Sequence, residues 1–579
     1  MECKFIKDLS KLRKLSSESI DNTDIFNEFK KYMHVERLVE KDLCELLRKL
    51  NKDSKKRLVL VCGSAGDGKS HLISYLKNID SEKLLEGYEV YNDATESDAP
   101  NLTSIETLAK RLESYNDDNY LIDDGRKMII AINLGTLNNF IESEKGKKFS
   151  MLKLYVEKSS IFKESLNFKN EDISSVFQYI NFSDYQIFTL KENGFGTDYL
   201  NSILLKVFNR SENNPFYQSY KENTDCTLCQ KCPVRHNYEF LLEQNNREFI
   251  INKIIEIIIK DKVVVSTRDV LNFLYDILVY PEFDYNLFCK INNVKYLFEY
   301  IKSTLPMLLY EYEGISPLID SIRNYDFLKE RKENLDLEAT YFHSVDNIEE
   351  IFLKTISNTP YEKINKIEDV STLGSIKPEL KKMIYRFIVR LKGMTENNKG
   401  EKLKGRFFEY IKYLYYQNSS NEKELKEIYN ITKKAIISWN GYNESGYICI
   451  DENNEKYWIL EQVDFSPKIK KSEPIINEEL AHFSNLLKLK YKKENGKDEE
   501  YVNINIDYSL YLMLYSMSEG YRPTIQDKNR HADFESSIQK IIEYGNKYSR
   551  VILVPKYSNQ KYNKIVFEET DFDFEFKVM

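Results

Sequence analysis

The chain has 579 residues, with 84 lysines and arginines against 92 aspartates and glutamates, which gives a formal net charge of −8. At about 150 residues per domain, this length predicts three or four domains. The acidic balance argues against a globally basic nucleic-acid binder, although it leaves room for a local basic patch. Hydrophobic residues make up 42% of the chain and charged residues 30%, a composition that excludes wholesale disorder.

No segment has the pattern of a targeting or membrane-spanning sequence. The densest apolar stretch, residues 249–259, is interrupted by Asn252, Lys253 and Glu256, which indicates a core helix. Eight cysteines in a chain of this length are too few for a secreted disulfide scaffold. We therefore expect a soluble, cytoplasmic protein that does not contact a membrane.

The first third of the chain alternates predicted helices and strands. Apolar residues at helical spacing predict an amino-terminal helical segment over 24–49. Runs rich in β-formers then alternate with helical patterns, which is typical of βαβ units around a parallel sheet and predicts an α/β fold. The predicted strands are 57–62, 88–92, 127–133 and 176–181, and the helices between them are 70–76 and 104–112.

Beyond residue 187 the pattern is largely helical to about residue 434, and β-formers return after residue 436. The later predicted strands are 439–442, 446–450, 456–460, 501–506, 550–554 and 564–567. The clearest linker-like break is 395–402. The predicted domains are an amino-terminal helical segment (1–56), an α/β core (57–215), a helical lid with a cysteine-rich loop (216–290), a helical domain (291–435) and a carboxy-terminal α+β domain (436–579).

Residues 63–70 form the motif Gly-x-x-x-x-Gly-Lys-Ser, directly after a predicted strand and directly before a predicted helix. Its glycines let backbone N–H groups turn towards phosphate oxygens, and the positive end of the helix points at the same charge. We expect Lys69 to neutralise the β- and γ-phosphates of ATP and the Ser70 hydroxyl to complete the Mg²⁺ shell. The predicted nucleotide-binding residues are Gly63, Ser64, Ala65, Gly66, Asp67, Gly68, Lys69, Ser70 and His71.

The sequence leaves open which residue holds Mg²⁺ or orients the attacking water. By order the third strand should end in a carboxylate, but it ends in Asn133, which can neither supply charge nor accept a proton. Asp93 and Glu96, just past the second strand, are the nearest acidic candidates, and Asp123 with Asp124 is a weaker option. Each of these four has a solvated loop carboxylate as its alternative interpretation.

Two further polar side chains are candidates for phosphate contact. Asn181, which closes the fourth strand, is either a γ-phosphate sensor or a strand-terminal turn residue. Arg268 follows Ser266 and Thr267, either of which would cap a helix. An arginine in that first turn could reach phosphate across a lid, or it forms a surface ion pair.

A cysteine-rich loop predicts a metal site. Cys226, Cys229 and Cys232 stand in a Cys-x-x-Cys-x-x-Cys-Pro run, and three thiols at this spacing can close around one ion. We predict structural Zn²⁺, with His236 or Cys289 as the fourth ligand. An iron–sulfur cluster and reduced cysteines without metal are the alternatives.

Basic residues are locally in excess between 381 and 406. Lys382, Arg386 and Arg390 are four residues apart and therefore lie on one helix face. This face is either a contact to the DNA backbone or an ordinary solvated surface.

Several of these blocks together resemble the DptF family of DNA phosphorothioation-dependent restriction proteins. The likeness runs from about residue 58 to residue 534 and is carried by 61–72, Asn-Asp-Ala-Thr-Glu-Ser at 92–97, Ala-Ile-Asn-Leu-Gly-Thr-Leu-Asn-Asn-Phe at 131–140, 214–217, the cysteine loop, 266–269, 520–523 and Asp527. It implies the ATPase component of a bacterial defence system against phage. In that system phosphorothioate sulfur marks host DNA, and partner subunits of the DptG and DptH type take part in attacking unmarked DNA.

We therefore expect a P-loop NTPase core of the AAA-like, additional-strand type that hydrolyses ATP. A nucleotide-dependent scaffold that binds ATP with little or no turnover is the alternative, and the missing Asp-Glu pair on the third strand favours it. A standalone nuclease is disfavoured because no paired-carboxylate-plus-lysine constellation stands out in the sequence.

Overall fold

The computed structural model divides the chain into two compact units, residues 1–188 with 197–401 and residues 189–196 with 402–579. The five predicted domain segments stay a prediction. The structure describes residues 3–13, 28–92, 103–159, 161–162, 173–222, 231–282, 294–329, 337, 340–342, 344, 348–366, 378–396, 405–442, 447–451, 454–469, 479–492, 501–544, 546–557, 565–569 and 574–578.

The first unit contains a four-stranded parallel sheet. Its strands are β1 (Arg57–Gly63), β2 (Tyr88–Tyr91), β3 (Lys127–Asn133) and β4 (Phe177–Asn181). Their order across the sheet is β2-β3-β1-β4, and every neighbouring pair is parallel. The carboxyl ends of all four strands therefore lie at the same edge, and the predicted α/β class is confirmed.

Helices make up most of the remainder of the first unit. They are α1 (Lys4–Leu9), α2 (Glu28–Met33), α3 (Leu38–Leu50), α4 (Lys69–Asn78), α5 (Ser104–Arg111), α6 (Leu134–Glu142), α7 (Ser150–Lys158), α8 (Asp198–Phe208), α9 (Pro215–Glu222), α10 (Pro233–Leu241), α11 (Gln244–Lys260), α12 (Thr267–Asp276), α13 (Val294–Lys302), α14 (Leu305–Tyr310), α15 (Pro317–Arg323), α16 (Ile348–Ile356) and α17 (Pro378–Glu396).

Both faces of the parallel sheet are buried, which is why β1 and β3 read as continuous apolar runs in the sequence. Successive side chains of a strand point to opposite faces. Leu58 and Leu60 accordingly join a core with α5, α6 and α7, whereas Val59 and Val61 join a second core with α3 and α4. The sheet is thus held between two helical layers, and its carboxyl edge is left for the loops that follow the strands.

The second unit combines antiparallel sheets with helices. Its strands are β5 (Thr189–Lys191), β6 (Gly194–Gly196), β7 (Tyr447–Asp451), β8 (Tyr457–Asp464), β9 (Glu479–Leu480), β10 (Leu487–Lys492), β11 (Tyr501–Ile506), β12 (Asn546–Pro555), β13 (Ile565–Glu569) and β14 (Phe574–Val578). The strand orders in its three sheets are β14-β13-β12-β8-β7, β6-β5-β9 and β10-β11. Its helices are α18 (Arg406–Asn418), α19 (Lys426–Ser438), α20 (Tyr508–Ser518), α21 (Ile525–Arg530) and α22 (Ala532–Tyr544).

The predicted strand at 439–442 is wrong. Helix α19 continues to Ser438, and the chain then turns through Gly441, whose φ is +88°. Trp439, which suggested a strand, is instead buried against the ring of Phe534. The helix ends here because Gly441, two residues after Trp439, supplies the left-handed conformation that the turn needs.

No helix in the described ranges has both the length and the apolar character that a bilayer-crossing segment requires.

Candidate functional site

The Gly-x-x-x-x-Gly-Lys-Ser motif connects the end of β1 to the start of α4. We call residues 63–70 the phosphate loop. Gly66 and Gly68 have φ values of +86° and +98°, in the left-handed region that glycine adopts without strain. A Cβ added at Gly68 would meet no heavy atom within 4 Å, so the loop is open on that side.

Two consecutive carbonyl groups of the loop are held by donors from outside it. The backbone N–H of Arg268 donates to the Gly66 carbonyl oxygen at 3.4 Å, and the Arg37 Nη1 donates to the Asp67 carbonyl oxygen at 2.9 Å. In a planar trans peptide the C=O and N–H bonds point in opposite directions. The N–H groups of Asp67 and Gly68 therefore face away from these donors, and no acceptor among the described residues takes either of them.

The charged side chains of the loop lie across it. Lys69, 7% exposed, donates from Nζ to the Ser64 carbonyl oxygen at 2.5 Å. The Ser64 N–H in turn donates to Asp67 Oδ2 at 2.5 Å. Burial raises the pKa of the Asp67 carboxyl, against the opposing effects of the Ser64 N–H, Lys69 and Arg37. One ammonium group and two unused N–H groups thus converge on a loop at a helix N-terminus, which is an arrangement suited to a multiply charged anion.

Ser70 connects this loop to the end of β2. Its Oγ donates a hydrogen bond to the Asn92 carbonyl oxygen at 2.9 Å, and the Asn92 Nδ2 donates to Ser74 Oγ one turn later on α4. Asn92 is the last described residue after β2. The candidate carboxylates Asp93 and Glu96 follow it and lie outside the described residues.

Asn133 and Asn181 end the two strands that flank β1. Asn133 is paired with Gly63, the first residue of the phosphate loop, and Asn181 is paired with Cys62. Asn181 is 2% exposed and its Oδ1 accepts a hydrogen bond from the N–H of Ser183, two residues on. This is the turn geometry that the sequence offered as the alternative to phosphate sensing.

The weaker acidic candidates, Asp123 and Asp124, lie at the opposite edge of the sheet, where β1 begins. Asp123 accepts a hydrogen bond from the N–H of Lys56, the residue before β1, and Asp124 pairs with the Lys56 ammonium group. The phosphate loop follows β1 at its carboxyl end. Asp123 and Asp124 are therefore excluded as partners of the loop, because a whole strand length separates them from it.

Arg268 lies beside the phosphate loop, and the helix start that the sequence predicts at 266–268 is present. Ser266 and Asp269 form a reciprocal capping box at the start of α12. The first turn packs so closely on the loop that a Cβ added at Gly66 would lie 2.8 Å from Ser266 Oγ and 3.1 Å from Arg268 Cβ.

His71 belongs to a small cluster that sequence reasoning did not find. Its Nε2 lies 3.2 Å from Nδ1 of His34, whose ring is stacked on Tyr75 and whose Nε2 lies 3.3 Å from Glu40. Burial lowers the pKa of His71 to about 4, assisted by the nearby His34. His34 and Arg37 both come from the segment between α2 and α3, where the sequence carries no motif that could have singled them out.

The predicted metal site is only partly within the described chain. Cys232 is buried at the start of α10 and His236 lies one turn on, its N–H donating to the Cys232 carbonyl oxygen. The Nδ1 of His236 is 2.6 Å from the Tyr300 hydroxyl and is occupied by this hydrogen bond, so a metal would have to bind the Nε2 atom. Cys226, Cys229 and the alternative ligand Cys289 lie outside the described residues. Within those residues no cluster of three or more His, Cys, Asp or Glu side chains could hold a metal.

Lys382, Arg386 and Arg390 are on the helix face for which the sequence left open a DNA contact or a solvated surface, and two of the three form ion pairs within the first unit. Arg390, 3% exposed, pairs with Asp326 and Glu311 at 2.7 Å each, and Arg386 also pairs with Glu311. Lys382 alone is exposed. This helix face therefore does not provide the row of three free cations that a DNA contact there would need.

Comparison of the chain with models of known protein families, with curated proteins and with solved structures finds no match.

Proposed function

We propose that the phosphate loop binds Mg²⁺ and ATP and that the chain hydrolyses the ATP. The observation that carries this proposal is the pair of N–H groups of Asp67 and Gly68, which no acceptor among the described residues takes. They stand at the N-terminus of α4 beside the Lys69 ammonium group. A triphosphate would supply the acceptors that the two N–H groups lack, and Lys69 would exchange the Ser64 carbonyl oxygen for phosphate oxygens.

Mg²⁺ fits the oxygen chemistry beside Ser70. Its hydroxyl lies at the end of β2, and the next residue after Asn92 is Asp93. Hydroxyl and carboxylate oxygens are the protein ligands that Mg²⁺ prefers in phosphoryl-transfer sites. When bound, the ion would neutralise charge on the β- and γ-phosphate oxygens.

The strand order supports Asp93 as the acidic partner. Sequence order alone suggested the end of β3, but β3 lies directly beside β1, and β2 is one strand further out. We propose that β3 is the additional strand of an AAA-like NTPase sheet and that β2 leads to the magnesium carboxylate. The end of β3 at Asn133 would then need no carboxylate, because the neighbouring strand β2 leads to it.

Hydrolysis would need a base, and we propose Glu96 for this role. A bond would form between the water oxygen and the γ-phosphorus while the bond from that phosphorus to the β,γ-bridging oxygen breaks. The proton from water would pass to the Glu96 carboxylate and then to solvent, leaving ADP and phosphate. Positioning and charge neutralisation would supply most of the acceleration, as is general for phosphoryl transfer.

A scaffold that binds ATP without turnover is the second candidate. It is favoured by Asn133 and Asn181, which place amides and no carboxylate at the ends of the strands that flank β1. The two candidates share the bound nucleotide and differ in whether phosphate is released.

The resemblance to the DptF family is the support for a wider role. We propose that the chain is the ATPase subunit of a phosphorothioation-dependent restriction complex, with DptG- and DptH-like partners and with DNA bound directly or through them. Zn²⁺ on Cys226, Cys229, Cys232 and His236 is part of the same proposal.

Phosphate release by the purified chain, alone and with DNA and the partner subunits, separates these candidates. An ATPase gives release that Asp93→Asn and Glu96→Gln abolish and that the exposed-site control Glu86→Gln leaves unchanged. ATP binding without release under any condition supports the scaffold. Absence of ATP binding by the wild-type chain would overturn both.

A further inference from the structure

We propose that Arg37 is a positioning residue for the phosphate loop, holding the loop peptides in the orientation that presents their N–H groups to phosphate. This inference rests on the proposed nucleotide site and adds to it a residue from the amino-terminal segment. Arg37 stands 30 residues before Asp67, immediately ahead of α3.

The guanidinium group of Arg37 touches two segments of backbone at once. Its Nη1 donates to the Asp67 carbonyl oxygen at 2.9 Å, and its Nη2 donates to the Tyr185 carbonyl oxygen at 3.5 Å. Tyr185 follows β4, so the same side chain links the phosphate loop to the segment after the neighbouring strand. A planar fork with several fixed donors can serve two carbonyl groups in this way, whereas an ammonium group acts as a point charge.

Aromatic rings fix the plane of this group. The Arg37 Cζ lies 5.4 Å from the ring centre of Phe182 and 5.0 Å from that of Tyr199. Cation–π contacts of this kind hold a guanidinium group in place without neutralising its charge. The donor to Asp67 is therefore presented by a side chain whose position is set before any ligand arrives.

The hydrogen bond decides the direction of one peptide. With the Asp67 carbonyl held on Arg37, the N–H of Gly68 in the same peptide must point the opposite way. Since φ at Gly68 is +98°, this peptide could otherwise flip without a side chain to resist it. Arg37 thus keeps the N–H of Gly68, a hydrogen-bond donor to phosphate, directed at the site. The loop itself has little stiffness at this glycine.

Tyr199 extends the same contact chain to the second donor that holds the loop. Its hydroxyl shares a 2.8 Å hydrogen bond with Thr267 Oγ1 at the first residue of α12. The next residue, Arg268, donates its N–H to the Gly66 carbonyl oxygen. Both donors that turn consecutive loop peptides are therefore linked through the ring on which Arg37 rests.

The test compares Arg37→Met and Arg37→Lys with Arg48→Met, the change of an exposed arginine on α3 that pairs with Glu82. ATP affinity is measured by titration calorimetry and folding by the melting temperature. We expect Arg37→Met to bind ATP roughly tenfold more weakly, the equivalent of one hydrogen bond. Arg37→Lys should recover part of that loss, and both variants should melt at the wild-type temperature with Arg48→Met unchanged.

Unchanged ATP affinity in Arg37→Met would overturn the inference. So would a loss of affinity that parallels a lower melting temperature and is as large in Arg37→Lys, because that pattern marks a general structural role. If Arg37→Met does not fold, Arg37→Lys decides alone: it must fold normally and still bind less tightly than wild type. If the wild-type chain does not bind ATP, the nucleotide site itself is refuted. That result differs from failure of the Arg37 inference alone, in which the wild-type chain binds ATP and Arg37→Met binds it equally well.

Discussion

The Ser70 hydroxyl donates a hydrogen bond to the Asn92 carbonyl oxygen at 2.9 Å, and this bond joins the first turn of α4 to the end of β2. β2 is not a neighbour of β1 in the sheet, since β3 lies between them. The bond therefore brings the chain just before Asp93 to the residue that would share a magnesium ion with it. Such a relationship cannot be seen from the order of strands along the sequence.

Ser70→Ala should remove most of the dependence of ATP affinity on Mg²⁺, because the hydroxyl is the proposed protein ligand at the loop. We expect the affinity in magnesium to fall by about tenfold, towards the value measured in EDTA. Ser74→Ala is the matched control, since Ser74 lies one turn later on α4 and accepts a hydrogen bond from the Asn92 side chain. Equal magnesium dependence in Ser70→Ala and wild type would contradict the assignment.

Gly66→Ala should weaken ATP binding far more than Gly87→Ala. Both glycines have nearly the same φ, +86° and +84°, so the strain of a left-handed alanine, about 1 kcal/mol, is common to both. Only at Gly66 would the new methyl group meet Ser266 and Arg268, at 2.8 and 3.1 Å. ATP titration of the two variants measures the difference, and equal affinities would show that α12 does not support the loop.

The stability of the nucleotide-free protein should fall between pH 6.5 and about pH 4 because of His71. Burial lowers the folded-state pKa of His71 to about 4 from an ordinary value of 6.5, so in this range the unfolded chain binds a proton that the folded chain does not. Stability from this group is fully present above pH 6.5 and is lost as the pH falls, by about 3 kcal/mol at most.

Urea unfolding of wild type and His71→Gln at pH 7.5 and 5 measures this effect. The substitution should reduce the loss on acidification. An unchanged pH dependence in His71→Gln would show that the His34–His71 pair does not govern it.

Arg390→Met should destabilise the first unit by about 3–5 kcal/mol, because it leaves the buried Asp326 carboxylate without its cation. Lys382→Met, on an exposed position of the same helix, should change stability by less than about 0.5 kcal/mol. The midpoint of urea unfolding checks both variants. A small effect for Arg390→Met would contradict the assignment of this buried ion pair as a major contribution to stability.

The parallel sheet was predictable because strands that are buried on both faces appear in the sequence as continuous apolar runs. The strands at 57–63 and 127–133 match their apolar runs, and the phosphate loop sits between strand and helix as its motif predicts. β10 was missed, although Leu487-Lys-Leu-Lys-Tyr-Lys492 alternates buried residues with exposed or half-buried lysines. Alternation over six residues is the period of a half-buried strand.

The arrangement around the loop was less predictable than the loop itself. Which strand neighbours β1 depends on long-range pairing, so the sequence directed attention to Asn133 when β2 is the strand that reaches Ser70. Arg37 carries no motif, and its contact with Asp67 exists only because the segment before α3 folds back on the loop. Such a contact depends on the tertiary fold and leaves no pattern in the sequence.

The most direct measurement is the affinity of Lys69→Ala for labelled ATP in the presence of magnesium, beside wild type and Lys77→Ala, a lysine at the exposed end of the same helix. If the ammonium group and the loop N–H groups hold the triphosphate, wild type and Lys77→Ala bind alike and Lys69→Ala binds at least a hundredfold more weakly, about 3 kcal/mol. Undiminished binding by Lys69→Ala would contradict the nucleotide site and everything proposed from it.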